Sequence, residues 1–352
     1  MKKCLALSLC AILIVTLSAC SPKEPEADAK GTCGGDLKWY YLDDTLTIIG
    51  TGPMKDYSDD SSKVPWSRYK TFIKNVIFED GCTTISTNAF NGYSNLVSVT
   101  LPNTLIEIES YAFFGCTDLS SITIPDSVTT IADGAFGNSG LTSITIPKNV
   151  EALIGNPFIF CDNLASINNQ SANFVLENNV LFSSDKTKLI ACPASKTGTY
   201  QIPAGVKEIG VSAFIGCTKL TAVSFSNGLE TIGDGAFWAC TSIKTIKVPD
   251  SVTSIGNSAF RRCENLTSAE LPEGLKTIGI SLFSDCYRLK SVTIPNSVKE
   301  IGDGAFLNCQ LLTSVTIPDG VTKIGPQSFA GVIHVYYNGT ATGAPWGALA
   351  IN

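Results

Sequence analysis

A phrase of 23 residues recurs down most of this chain and dictates how it can fold. Residues 289–311 read LKSVTIPNSVKEIGDGAFLNCQL, and Leu312 begins the next copy with LTSVTIPDGVTKIGPQSFAGV. The phrase also starts at Leu96, Leu119 and Leu266 and, more loosely, at Leu220 and Ile243. Pro249, Pro272, Pro295 and Pro318 keep step at 23, as do Cys217, Cys240, Cys263, Cys286 and Cys309. A fixed period of about 20 to 50 residues marks a solenoid, in which each unit stacks only on its neighbours. The chain is therefore one elongated array rather than two globular domains.

In the copy from Leu96 the apolar positions are Leu96, Val99, Leu101, Leu105, Ile108, Ala112, Phe113 and Cys116. The alternation Val99-Thr100-Leu101 has period two, which predicts a short strand with Val and Leu inward and Thr outward. Pro102 cannot donate to a ladder and ends that strand, and Asn103 opens a turn. A second extended piece, Glu107-Ile108, precedes a Gly-Ala-Phe type of segment expected to form a helical or 3₁₀ turn. One coil buries too little apolar surface to offset the entropy of ordering it, so coils must stack. The expected spine is a column of Phe90, Phe113, Phe136, Phe237, Phe260, Phe283, Phe306 and Phe329.

Charged residues make up 16% and hydrophobic residues 44%, the balance of a folded chain. Residues 1–19 have the form of an export signal, with Lys2 and Lys3 ahead of an apolar run too short for a membrane span. Leu17-Ser18-Ala19-Cys20 resembles the lipobox of bacterial lipoproteins, which implies lipid on Cys20. The polar stretch Ser21 to Lys30 fits a flexible tether. Losing residues 1–19 removes two lysines and no acids, leaving 23 basic against 31 acidic residues, a net charge of −8. Such a surface does not suit nucleic acid or an anionic membrane.

The phrase LTSVTIPDGVTKIGPQSF resembles the BspA-like bacterial leucine-rich repeats, and the likeness covers about residues 31–352. Residues 32–57 with Pro65-Trp66 are similar to that family's N-terminal cap, and VYYNGTATGAPWGA (335–348) to its C-terminal close. The resemblance implies a capped leucine-rich-repeat solenoid of short parallel strands and helical or 3₁₀ turns. It also implies a surface or secreted molecule that adheres to host matrix proteins or other microbes. The expected layout is a signal at 1–19, lipidated Cys20 and tether at 20–30, an N-terminal cap at 31–75, repeats at 76–331 and a C-terminal cap at 332–352.

The array is interrupted between Pro147 and Pro203, 56 residues where two periods give 46. Within this variant stretch, about 148–203, Asn179–Phe182 and Lys188–Ile190 flank Ser183–Thr187 and read as a β-hairpin. It is either a recognition loop or a tolerated variant coil.

Chemistry-bearing residues are few. Cys116, Cys161, Cys217, Cys240, Cys263, Cys286 and Cys309 form one column, with Tyr93 and Ser139 in the same position elsewhere. Side chains stacked in a solenoid point the same way, which suits buried free thiols better than bridges. Cys33 and Cys82, near the N-terminal cap, are the candidate disulfide. The single histidine, His334, has no Ser or Cys partner in any catalytic pattern, and no C-x₂-C, G-x-S-x-G or P-loop motif occurs. Asp56, Asp59 and Asp60 lack calcium-loop spacing and are expected in a surface turn. No enzyme, metal or cofactor is expected.

The outward strand row is mostly Ser and Thr, broken by Lys247 and Glu270. Beyond the Phe column the next position varies: Ile215, Trp238, Arg261, Ser284, Leu307. Trp238 with Arg261 and Arg262 is the candidate ligand contact, against the plainer reading that Trp238 packs along its coil under an Arg. The expected function is a lipid-anchored, monomeric surface rod that binds a protein or glycan ligand outside the cell. Its rivals are a carbohydrate-capturing lipoprotein, using Trp39, Tyr40, Tyr41, Trp66 and Trp238 as platforms, and an architectural spacer.

Overall fold

The computed structural model describes residues 27–58, 60–342 and 346–351. The signal, Cys20 and Asp59 lie outside the described residues. The rest winds into a parallel-strand solenoid of about 11 turns. Each coil places one strand on a first face, ends it at the proline turn, lays a two- or three-residue strand on a second face, and closes through the Phe segment. On the first face Thr245–Lys247, Ser268–Glu270 and Ser291–Thr293 pair in parallel, with Ile246 opposite Ala269 and Lys247 opposite Glu270. On the second, Thr277–Ile278, Glu300–Ile301 and Lys323–Ile324 do the same. Partners lie 23 residues apart, so the sequence period is the ladder register. Inward Ile108, Ile131, Ile278 and Ile301 are buried, while Ser98, Thr100, Ser314 and Thr316 face solvent.

The Phe segment is not a helix. Among the described residues the only helical pieces are the 3₁₀ turns Ser61–Lys63 and Ser67–Tyr69 in the N-terminal cap. In the repeats the N–H groups alternate. Those of Ala112, Phe114 and Cys116 donate three residues back within the coil, whereas those of Tyr111, Phe113 and Gly115 donate to Asp133, Ala135 and Gly137 of the next coil. A helix would keep every N–H within its own coil. Left-handed residues two before and two after each Phe make this possible. They include Tyr111 and Gly115 around Phe113, and Ser258 and Arg262 around Phe260.

Inside, the rings stack nearly parallel. Phe90, Phe113, Phe136 and Phe158 form one stack, with centroids 5.4, 5.8 and 6.3 Å apart. Phe214, Phe237, Phe260, Phe283, Phe306 and Phe329 form the other. The spine expected to be continuous is thus two stacks, and it includes Phe158 and Phe214. The break is local. Phe158 N–H turns back to Asn156 Oδ1, and Ala213 O accepts from Cys192 N–H at 2.7 Å, the bond a Phe N–H makes elsewhere.

The caps close both ends with aromatic rings. Ala29–Gly34, Leu37–Leu42 and Thr45–Ile49 form an antiparallel meander, and its last strand pairs in parallel with Asn75–Phe78. Ala29 and Lys30, expected in the tether, already belong to this meander. Trp66 stacks on Phe90 at 5.4 Å and tops the spine. At the other end Phe329 N–H donates to Trp346 O, and Trp346 is buried. Both devices cover an apolar end that bare coils would expose.

Candidate ligand-binding face

The expected hairpin is present as the core of a variant coil. Val180–Ser183 pairs antiparallel with both Phe174–Glu177 and Lys188–Ala191, and Lys188–Ala191 then joins the second face opposite Glu208–Ile209. Phe182 and Leu189 are buried, and only the tip around Asp185 and Lys186 projects. Lys186 is held by Glu177, and Asp185 accepts from Ser183 and Thr187.

The cysteine column does structural work through its carbonyl contacts. Cys116, Cys161, Cys240, Cys263, Cys286 and Cys309 each direct Sγ at a Phe carbonyl one coil back, at 3.1–3.3 Å. A thiol is small and apolar enough to bury, yet still a weak donor. Burial pushes the Cys116, Cys263 and Cys309 thiols up to about 12, which leaves them protonated and unreactive. Cys33 and Cys82 are likewise buried free thiols; burial, and secondarily the nearby Cys82, pushes Cys33 up to about 12.

Trp238 is half-buried. Phe160 meets it edge-on at 6.3 Å, and the Arg261 guanidinium lies 5.3 Å from its ring centroid. Arg261 is anchored by Asp285, 3.4 Å from Nε. The fold therefore brings Trp238 and Arg261 together as a packed pair. Arg262 sits in the left-handed turn position, where its N–H donates to Ser284 O, and its side chain pairs with Glu264 at 3.5 Å.

The supposed glycan platforms are not available. Trp39, Tyr40, Tyr41 and Trp66 are buried in the N-terminal cap, where Trp39 and Trp66 pack edge to face. Asp56 and Asp60 close two local turns by accepting from Ser58 and Ser62, as a surface turn requires. His334 stacks on Tyr336 in a first-face strand. Among the described residues there is no group of three or more metal-ligating side chains.

Open grooves instead run along the first face, where outward strand residues meet the proline turns. One lies between Thr100 and Thr123, one at Lys247, Pro249 and Asp250, and one between Thr293 and Thr316. At the middle groove Lys247 Nζ meets a Glu270 carboxylate oxygen at 2.7 Å, with side chains 80% and 64% exposed. So exposed a pair adds little stability and can exchange its partner for a ligand group. Sequence reasoning noted both residues only as exceptions in the Ser/Thr row.

A family model described as BspA type leucine-rich repeat region, in six copies, matches residues 68–188 and 193–313. Among solved structures, a leucine-rich repeat protein from Eubacterium ventriosum is 29% identical with a TM-score of 0.67, over 86% of this chain and 95% of its own. A leucine-rich cell surface protein from Faecalibacterium prausnitzii is 24% identical with a TM-score of 0.55, over 90% and 96%, a likeness of fold alone. A search of curated proteins found no match. The repeat match spans well over half of the residues, and the chain belongs to the BspA type leucine-rich repeat family.

Proposed function

We propose that this chain is a non-enzymatic bacterial surface protein whose first face binds an extended macromolecule. The alignment of open grooves along that face, spread over several coils, carries the reading. An extended polypeptide or glycan can cross several coils, whereas a small substrate calls for a concave pocket with converging polar groups. Lys247 and Glu270 give this face its one exposed charged pair within the Ser/Thr row. Protein is favoured over glycan because four of the five candidate aromatic platforms are buried.

The surface location rests on the signal-like residues 1–19 and on the family. Anchoring rests on Leu17-Ser18-Ala19-Cys20, with the membrane reached through lipid on Cys20. The rod acts as a monomer, needs no cofactor and does not engage nucleic acid. An array of purified extracellular-matrix proteins and glycans, probed with residues 27–352, tests the reading. Saturable binding to a matrix protein supports it. Binding confined to glycans would support carbohydrate capture, and no binding at all would support the spacer.

A further inference from the structure

We propose that Cys192 and Cys217 form a disulfide that staples the variant coil to the repeat that follows it. In regular coils a thiol faces a Phe carbonyl one coil back, so the column presents carbonyl contacts and not facing sulfurs. The variant coil breaks that rule. Cys192 takes the Phe register, its N–H donating to Ala213 O as a Phe N–H would. Cys217 therefore meets a cysteine where its counterparts meet a phenylalanine. Its Sγ lies 3.8 Å from Cys192 O and 3.7 Å from Pro193 O, and Cys192 Sγ lies 3.9 Å from that same Pro193 oxygen. The two thiols are in side-chain hydrogen-bond contact. Both are buried, which places bond formation during folding, before the coil closes.

The chemistry is exchange with a disulfide carrier, oxidised glutathione in the tube or an oxidised dithiol protein on an export route. One cysteine thiolate attacks the carrier and forms a mixed disulfide; the second displaces the carrier's remaining sulfur. Two electrons pass from the pair to the carrier, whose two sulfurs leave as thiols with the two protons. The bond would close a 25-residue loop running from the hairpin's end to the next turn and restrain the unfolded chain there.

The test is to refold the protein in a glutathione redox buffer, unfold it in iodoacetamide and map its peptides. The expected result is a reducible peptide pair linking Cys192 to Cys217, with Cys240, Cys263, Cys286 and Cys309 alkylated. In Cys192→Ala, Cys217 should be alkylated like the rest of its column. Full alkylation of Cys192 and Cys217 in the refolded wild type, or a Cys217–Cys240 link in either protein, overturns the proposal. The wild-type map decides the question even if the variant does not fold. As a check on the staple itself, trypsin should cut at Lys186 more slowly in the oxidised protein than in the reduced one; equal rates would overturn that role.

Discussion

Cys286 points its thiol at the carbonyl oxygen of Phe260, 3.1 Å away in the preceding coil. That contact joins the two most regular columns of the solenoid, and the same relation recurs from Cys116 to Cys309. Phe260 supplies an inward ring, an N–H that donates to Leu282 in the next coil, and a carbonyl that accepts from Cys263 N–H and Cys286 Sγ. A coil is therefore bound to its neighbour by ring, backbone and thiol together.

Phe260→Ala removes one rung and should cost about 3–5 kcal/mol, as truncation of a buried aromatic does in a close-packed core. Chemical denaturation measures it. A midpoint equal to that of the parent would mean that Phe260 lies outside the core.

The buried thiols make stability fall in alkali. Cys116, Cys263 and Cys309 are pushed up to about 12 from an ordinary 9.0. In the unfolded chain they ionise near the ordinary value; in the fold they keep their protons until about 12. Their contribution is fully present below pH 9 and is lost as pH rises toward 12. Melting temperatures under reducing conditions should drop between about pH 9 and about pH 11, and less steeply in Cys263→Ala. A flat profile across that window would count against protonated buried thiols.

The left-handed positions can be tested with glycine. Gly115 has a φ of +72° and a Cβ there would meet Gly92 Cα at 3.2 Å, so Gly115→Ala should cost about 1–2 kcal/mol. Gly228, with an ordinary φ and open space around it, is the control: Gly228→Ala should be neutral or slightly stabilising. Equal effects at the two sites would contradict the turn geometry.

Arg261 covers Trp238, the half-buried one of the four tryptophans. Arg261→Ala should increase acrylamide quenching of tryptophan fluorescence, and Trp238→Phe should abolish that increase. Quenching that ignores Arg261 would mean that the guanidinium does not shield the indole.

Much of the fold was legible because a solenoid writes its ladder register into its period. Pro249, Pro272, Pro295 and Pro318 mark strand ends, and Cys240 to Cys309 mark a buried column. The form of the turn was not legible. Its left-handed sites accept Gly, Asn, Ser, Asp, Ala and even Arg262, so no residue type announces them. Phe158 and Phe214 escaped the spine because Phe158 follows Phe136 by 22 residues and the variant coil then breaks the period. Trp66, read as a surface platform, is instead the ring that tops the spine, since a solenoid end needs an aromatic cover more than it needs a ligand site. Trp238 and Arg261 were rightly placed together, but their composition could not say that Asp285 and Phe160 complete the packing.

The central claim is that the first face, around Lys247 and Glu270, engages an extended partner. Its most direct test is the affinity for whichever matrix protein binds on the array, compared between the parent and Lys247→Ala with Glu270→Ala. The account predicts at least about a tenfold loss, about 1.4 kcal/mol, with an unchanged melting temperature. It also predicts wild-type affinity for Trp238→Phe. Full affinity in the double variant, together with loss in Trp238→Phe, would contradict the account and place the site on the turn face.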